Sequence, residues 1–104
     1  MPTPTVRVAM KWISFNENCP PNLSLELGWD ALVFYSTQIA NGANQTIEFP
    51  ASVYIDSSVQ GTISPILNDI PIGSTVVNIL MPKQMYTRSW ITLDTTLCYE
   101  LVEL

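Results

Sequence analysis

The chain has 104 residues, of which 47% are hydrophobic and only 12% charged, and its formal net charge is −5. A chain of this length forms one domain with a core of its own. The four cations, Arg7, Lys11, Lys83 and Arg88, are too few to neutralise a row of phosphates or anionic headgroups. Neither nucleic-acid binding nor polybasic membrane attachment is therefore expected.

No apolar run approaches the roughly 20 residues of a spanning helix, so membrane insertion is not expected. The opening MPTPTVRVAM also lacks the apolar run of a signal peptide. Ser, Thr, Asn and Gln solvate the surface in place of charge, a composition associated with virion and cell-surface proteins.

Residues 1–5 contain Pro2 and Pro4 and read as a short extended arm. Residues 6–15 form the first predicted strand. Val6, Val8, Met10 and Trp12 alternate with Arg7, Ala9 and Lys11, the period of a half-buried strand. Residues 16–22, with Cys19-Pro20-Pro21, form a loop. Leu23, Leu25, Leu27 and Trp29 share one face of the next strand, and Asp30-Ala31 marks a bend. Residues 32–39 have large side chains on both faces, which predicts a central strand. Asn41-Gly42 predicts a two-residue hairpin, because both residues tolerate positive φ. Residues 45–49 then return as a strand that Pro50 ends.

The stretch 51–80 organises the chain as three short strands punctuated by turns. Val53 and Ile55 alternate with polar neighbours, and Asp56-Ser57-Ser58 and Gly61 supply turn chemistry. Residues 62–67 carry Pro65, and Asn68-Asp69 and Pro71-Ile72-Gly73 mark further turns before a strand at 75–80. Residues 81–84 connect to two last strands, 86–94 and 96–104, around Asp94-Thr95. The prediction is all-β: a single Ig-like β-sandwich or small barrel of seven to nine antiparallel strands over residues 1–104. Its expected core is Val6, Val8, Met10, Trp12, Leu25, Leu27, Val33, Val53, Ile55, Val77, Ile79 and Ile91.

Within residues 51–86, Val53-Tyr54-Ile55-Asp56 is followed by Gly61-Thr62 with Pro65, then by Ile70-Pro71-Ile72-Gly73, Val77, Ile79 and Tyr86. This order resembles the PEGA family of small Ig-like surface modules. The tetrapeptide that names the family is missing, and Ser57 stands where the pattern has Gly. The resemblance implies a sandwich fold and a non-catalytic role.

The chain has no His, so the commonest general base is absent, and two Cys cannot build a zinc site of nitrogen and sulfur ligands. No catalytic residue, cofactor or metal site is predicted. Asp56-Ser57-Ser58 and Asn68-Asp69 could offer oxygens to calcium, but turn capping accounts for them. Cys19 and Cys98 form one bridge or remain two buried thiols, and a chain without a visible secretion signal favours thiols. Most of the ten aromatics belong in the core. The best candidates for the outside are Tyr54, Phe15 and Tyr86. The last strand has no Lys, Arg or Pro to defend an edge, which makes Glu100, Val102 and Leu104 candidates for contact with another chain.

The expected function is a non-enzymatic structural or protein-interaction module of a larger assembly, such as a virion, tail or surface layer. Its partners would be copies of itself or other subunits. The alternative is a small acidic inhibitor, encoded by a virus or mobile element, that binds a basic host surface.

Overall fold

The computed structural model describes residues 3–80 and 84–104. The first two residues of the expected arm and most of the expected connector (residues 81–83) lie outside them. Ten strands follow in chain order: β1 (Val6–Ser14), β2 (Asn22–Trp29), β3 (Leu32–Ala40), β4 (Thr46–Glu48), β5 (Tyr54–Ser57), β6 (Gly61–Leu67), β7 (Ile70–Pro71), β8 (Thr75–Val77), β9 (Met85–Trp90) and β10 (Thr95–Glu103). A single 3-10 turn, Thr92–Asp94, joins the last two. The tenth strand, beyond the nine expected, is the two-residue β7.

Two antiparallel sheets of five strands pack face to face as a sandwich. The first runs β4-β1-β10-β9, with β5 also pairing β1; the second runs β3-β2-β6-β7, with β8 also pairing β6. Val8, Met10, Ile13, Leu97, Tyr99 and Leu101 of the first sheet meet Leu23, Leu25, Leu27, Trp29, Ile63 and Val77 of the second in one core cluster. Leu25 and Leu27 are fully enclosed. Burying each such side chain contributes about 1.5–3 kcal/mol.

The alternation in β1 changes phase partway. Met10 pairs Tyr99, but Trp12 pairs Cys98, so Lys11 is an extra residue in the ladder. Such a bulge turns the following side chains over. Val6, Val8 and Met10 face the core before it, and Ile13 and Phe15 after it. Trp12, expected in the core, is half-buried for this reason.

Two hairpins use two-residue turns with positive φ at both central positions. Asp30 and Ala31 (φ 48° and 70°) join the paired Trp29 and Leu32, and Asn68 and Asp69 (48° and 67°) join Leu67 and Ile70. Both are the mirror-image turns that match strand twist. The predicted Asn41-Gly42 hairpin is corrected. Asn41 does take φ 56°, but Gly42 does not take a positive φ. The segment carries the chain from β3 in one sheet to β4 in the other, where β4 pairs β1.

Pro65 lies inside β6, fully buried, with no N–H to give a ladder. It sits where the neighbour of β6 changes from β8, at residues 61–63, to β7, at residues 66–67. The expected Asp turn starts one residue late: Asp56 is inside β5, and Ser57 Oγ bonds both the N–H and the carbonyl of Val59.

Three further positions differ from the expected core. Val33 is exposed, because β3 is an edge rather than a central strand. Ile55 is only half-buried on the short outer strand β5. Ile91 is fully exposed, because the last turn begins at Ile91 rather than at Asp94. There Leu93 and Asp94 both take positive φ, and the Asp94 N–H donates to the Ile91 carbonyl.

Candidate protein-interaction edge

Each sheet edge exposes backbone N–H and C=O groups, and natural sheets blunt such edges with charge, proline, bulges or shortness. The edges here differ in how far they are blunted. β4 has three residues, with Pro50 soon after it; β7 contains Pro71; β5 carries Asp56; β8 has three residues; and β9 carries Arg88. β3 has nine residues, LVFYSTQIA, with no charge and no proline. Among the described residues its only strand partner is β2. One bulge interrupts it, since Val33 pairs Gly28 and Tyr35 pairs Leu27, leaving Phe34 as the extra residue. Tyr35 to Ala40 remain a regular open edge.

Beside that edge the sandwich is not closed. Tyr35, Thr37 and Ile39 of β3 face Ile47 and Phe49 of the other sheet across a groove of about 260 Å³. Tyr35 meets Phe49 edge to face, with ring centroids 5.8 Å apart. Glu48 is the only charged residue among those described that line the groove. Small-molecule sites start at about 300 Å³ and enclose most of their ligand. This groove is smaller and open along its length. A strand added to β3 would project every second side chain into it.

The residues singled out from sequence fall elsewhere. Tyr54, on β5, is 38% exposed. Its ring lies under the Arg7 guanidinium, 3.7 Å from the centroid. Arg7 also donates twice to Asp56, at 2.8 and 3.0 Å. That hydrogen-bonded guanidinium holds the Asp56 carboxyl below its ordinary value. Tyr54 is therefore already engaged within its own sheet.

Phe15, one of the candidates for the outside, is buried, because the β1 bulge turns it inward. Tyr86 is half-buried and stacks on Tyr99, with centroids 5.5 Å apart. Glu100 is half-buried with Lys11 Nζ 3.9 Å away, and Val102 and Leu104 are exposed at the end of β10. The expectation that the last strand is an open edge is corrected: β10 is central, between β1 and β9. Beyond Met85, the N–H of Leu101 donates to the Gln84 carbonyl, and that of Leu104 to the Thr5 carbonyl.

Cys19 and Cys98 are free and buried, and burial pushes both thiols up. Thiols so placed are poor nucleophiles at neutral pH. No group of three His, Cys, Asp or Glu residues suited to a metal ion occurs among the described residues.

Sequence reasoning placed the open edge on the wrong strand. β3 holds neither charge nor proline, but residues 72–80 share that character, so composition alone does not single β3 out as the open edge. No family model, curated protein or solved structure matches the chain.

Proposed function

We propose that the chain is a non-enzymatic protein-interaction module of a larger assembly, and that it takes up a partner's extended strand along β3. The observation that carries this reading is the difference between edges: β3 is long, uncharged and free of proline, whereas the other outer strands are short or carry a charge or a proline. An added strand gains main-chain hydrogen bonds from the edge and side-chain specificity from the groove, as strand addition does elsewhere. The alternative, a small acidic inhibitor that binds a basic host surface, rests on the net charge of −5 alone.

The test is backbone amide NMR of the labelled protein with an alternating Thr-Val peptide, flanked by lysines for solubility. A peptide of the same charge with proline at alternate positions is the control. Shifts concentrated on Tyr35 to Ala40 with the first peptide alone support the reading. Equal responses to both, or none on β3, overturn it.

A further inference from the structure

We infer that the strand which occupies β3 is the β3 of a second copy, antiparallel and centred on Thr37. This rests on the proposed function, since it names the occupant of the same edge. Two antiparallel strands related by a two-fold axis pair residues of the same face, so the axis must pass between the two copies of one residue. Centring on Thr37 uses only the regular part of the edge and keeps the Phe34 bulge outside the central ladder. Thr37 then lies opposite Thr37, Tyr35 opposite Ile39 twice, and Ser36 opposite Gln38 twice.

These pairs suit both faces. Tyr35, Thr37 and Ile39 pair Leu27, Leu25 and Leu23 in their own sheet and line the groove side. Aromatic–β-branched and Thr–Thr neighbours are among the favourable cross-strand pairs. Ser36 and Gln38 are exposed, and Gln38 also contributes to the lining of the groove.

Charge permits this occupant although each copy carries −5. The ladder itself contains no ionisable carboxylate or cation, and the carboxylate in the groove lining, Glu48, belongs to β4 of the other sheet. The nearest acidic residue within the sheet, Glu26, pairs Ser36 on the inner side of β3. Two copies of Glu26 are thus separated by at least three strand spacings, about 14 Å. That exceeds the screening length of about 8 Å at physiological ionic strength. A partner bearing charge on its edge would lack an opposite charge on β3 to meet.

A pair held by one strand and one groove is expected to belong with the transient interfaces below about 1,200 Å² and to dissociate readily. Light scattering should show mass rising toward a dimer as concentration goes from about 10 µM to about 1 mM. Ser36→Lys should hold the chain as a monomer with an unchanged melting curve.

Register is read by cysteine substitution, since cross-strand Cα separations of about 4.5–5.5 Å suit a disulfide. Thr37→Cys should cross-link to itself on mild oxidation, whereas Ser36→Cys alone should not, and a mixture of Ser36→Cys and Gln38→Cys should. The wild type, with Cys19 and Cys98 buried, is the control. A wild type that stays monomeric to the top concentration overturns the inference. So does a dimer that Thr37→Cys fails to trap. If the Thr-Val peptide still binds β3 in either case, the strand-capture reading stands and only the identity of the occupant falls.

Discussion

Trp29 packs directly against the bare Cα of Gly61, so that a Cβ added there would overlap the six-membered part of the indole. The contact ties the end of β2 to the start of β6, where Trp29 pairs Ile63 and Gly61 pairs Val77. Gly61→Ala should therefore destabilise the fold by about 1–3 kcal/mol, the usual cost of overpacking a filled site. The check is the denaturant midpoint, with Trp29→Leu as the second arm of a double-mutant cycle. Coupling should appear as a smaller cost of Gly61→Ala when the indole is gone. An unchanged midpoint for the single variant would mean that the ring moves aside freely.

Gly42 matters for space and not for backbone freedom. Its φ is not positive, but a Cβ there would lie 2.9 Å from Ile39 Cγ2 and 3.3 Å from Cys19 Sγ. Gly42→Ala should cost about 1 kcal/mol or more, and Gly42→Val should cost more again as added methyls meet Ile39 and Ile47. Trimming the neighbour with Ile39→Ala, which removes Cγ2, should make Gly42→Ala cost less in that background than in wild type. If trimming recovers nothing, crowding is the wrong cause.

Much of the inward-facing set was legible in the sequence because alternation reports a strand's two faces directly. Leu23, Leu25, Leu27 and Trp29 are all buried as their spacing requires. What alternation cannot report is an extra residue, and Lys11 in β1 is why Trp12 and Phe15 exchange environments. Nor does it report neighbours. β10 and β3 are both apolar nine-residue strands, and only the long-range pairing of β10 with β1 makes one central and the other an edge. Local turn signals can likewise yield to tertiary contacts. Ala31 takes φ 70° because the hairpin is anchored at Asp30, whose N–H donates to the Thr62 carbonyl while its Oδ1 accepts from the Thr62 N–H. Asn41-Gly42 has the stronger local signal but serves a crossover between sheets. The candidate edge was hidden for the same reason, since its character depends on what does not pair with it.

The two thiols should be inert in the folded chain. Burial is the first cause raising both, and at Cys98 the nearby Lys11 charge only partly opposes it. A disulfide exchange reagent at neutral pH should label both in denaturant, and at least about tenfold more slowly in native buffer, because reaction waits on local opening. Rapid native labelling at Cys19 would show that the loop holding it opens without the rest of the domain. The label's position, read by mass spectrometry, separates the two sites.

The Arg7–Asp56 pair gives the fold a pH dependence of known sign. Arg7 lowers the Asp56 carboxyl chiefly by donating hydrogen bonds to it, then by its charge. In the unfolded chain the same carboxyl titrates near the ordinary value of about 3.9. A depressed folded value means that the unfolded state takes up the proton first as pH falls. The contribution is therefore complete above that ordinary value and is lost as pH drops through the folded one. Other carboxylates titrate in the same window, so the useful quantity is a difference between variants. Asp56→Asn should be less stable than wild type at pH 7 by a small amount, because both side chains reach solvent. The gap should narrow below about pH 4. Molar salt at pH 7 should also shrink it, though incompletely, since the two short hydrogen bonds do not depend on screening alone. A gap that stays constant from neutral to strongly acidic pH would assign the loss to packing around Tyr54 and not to the carboxylate's charge.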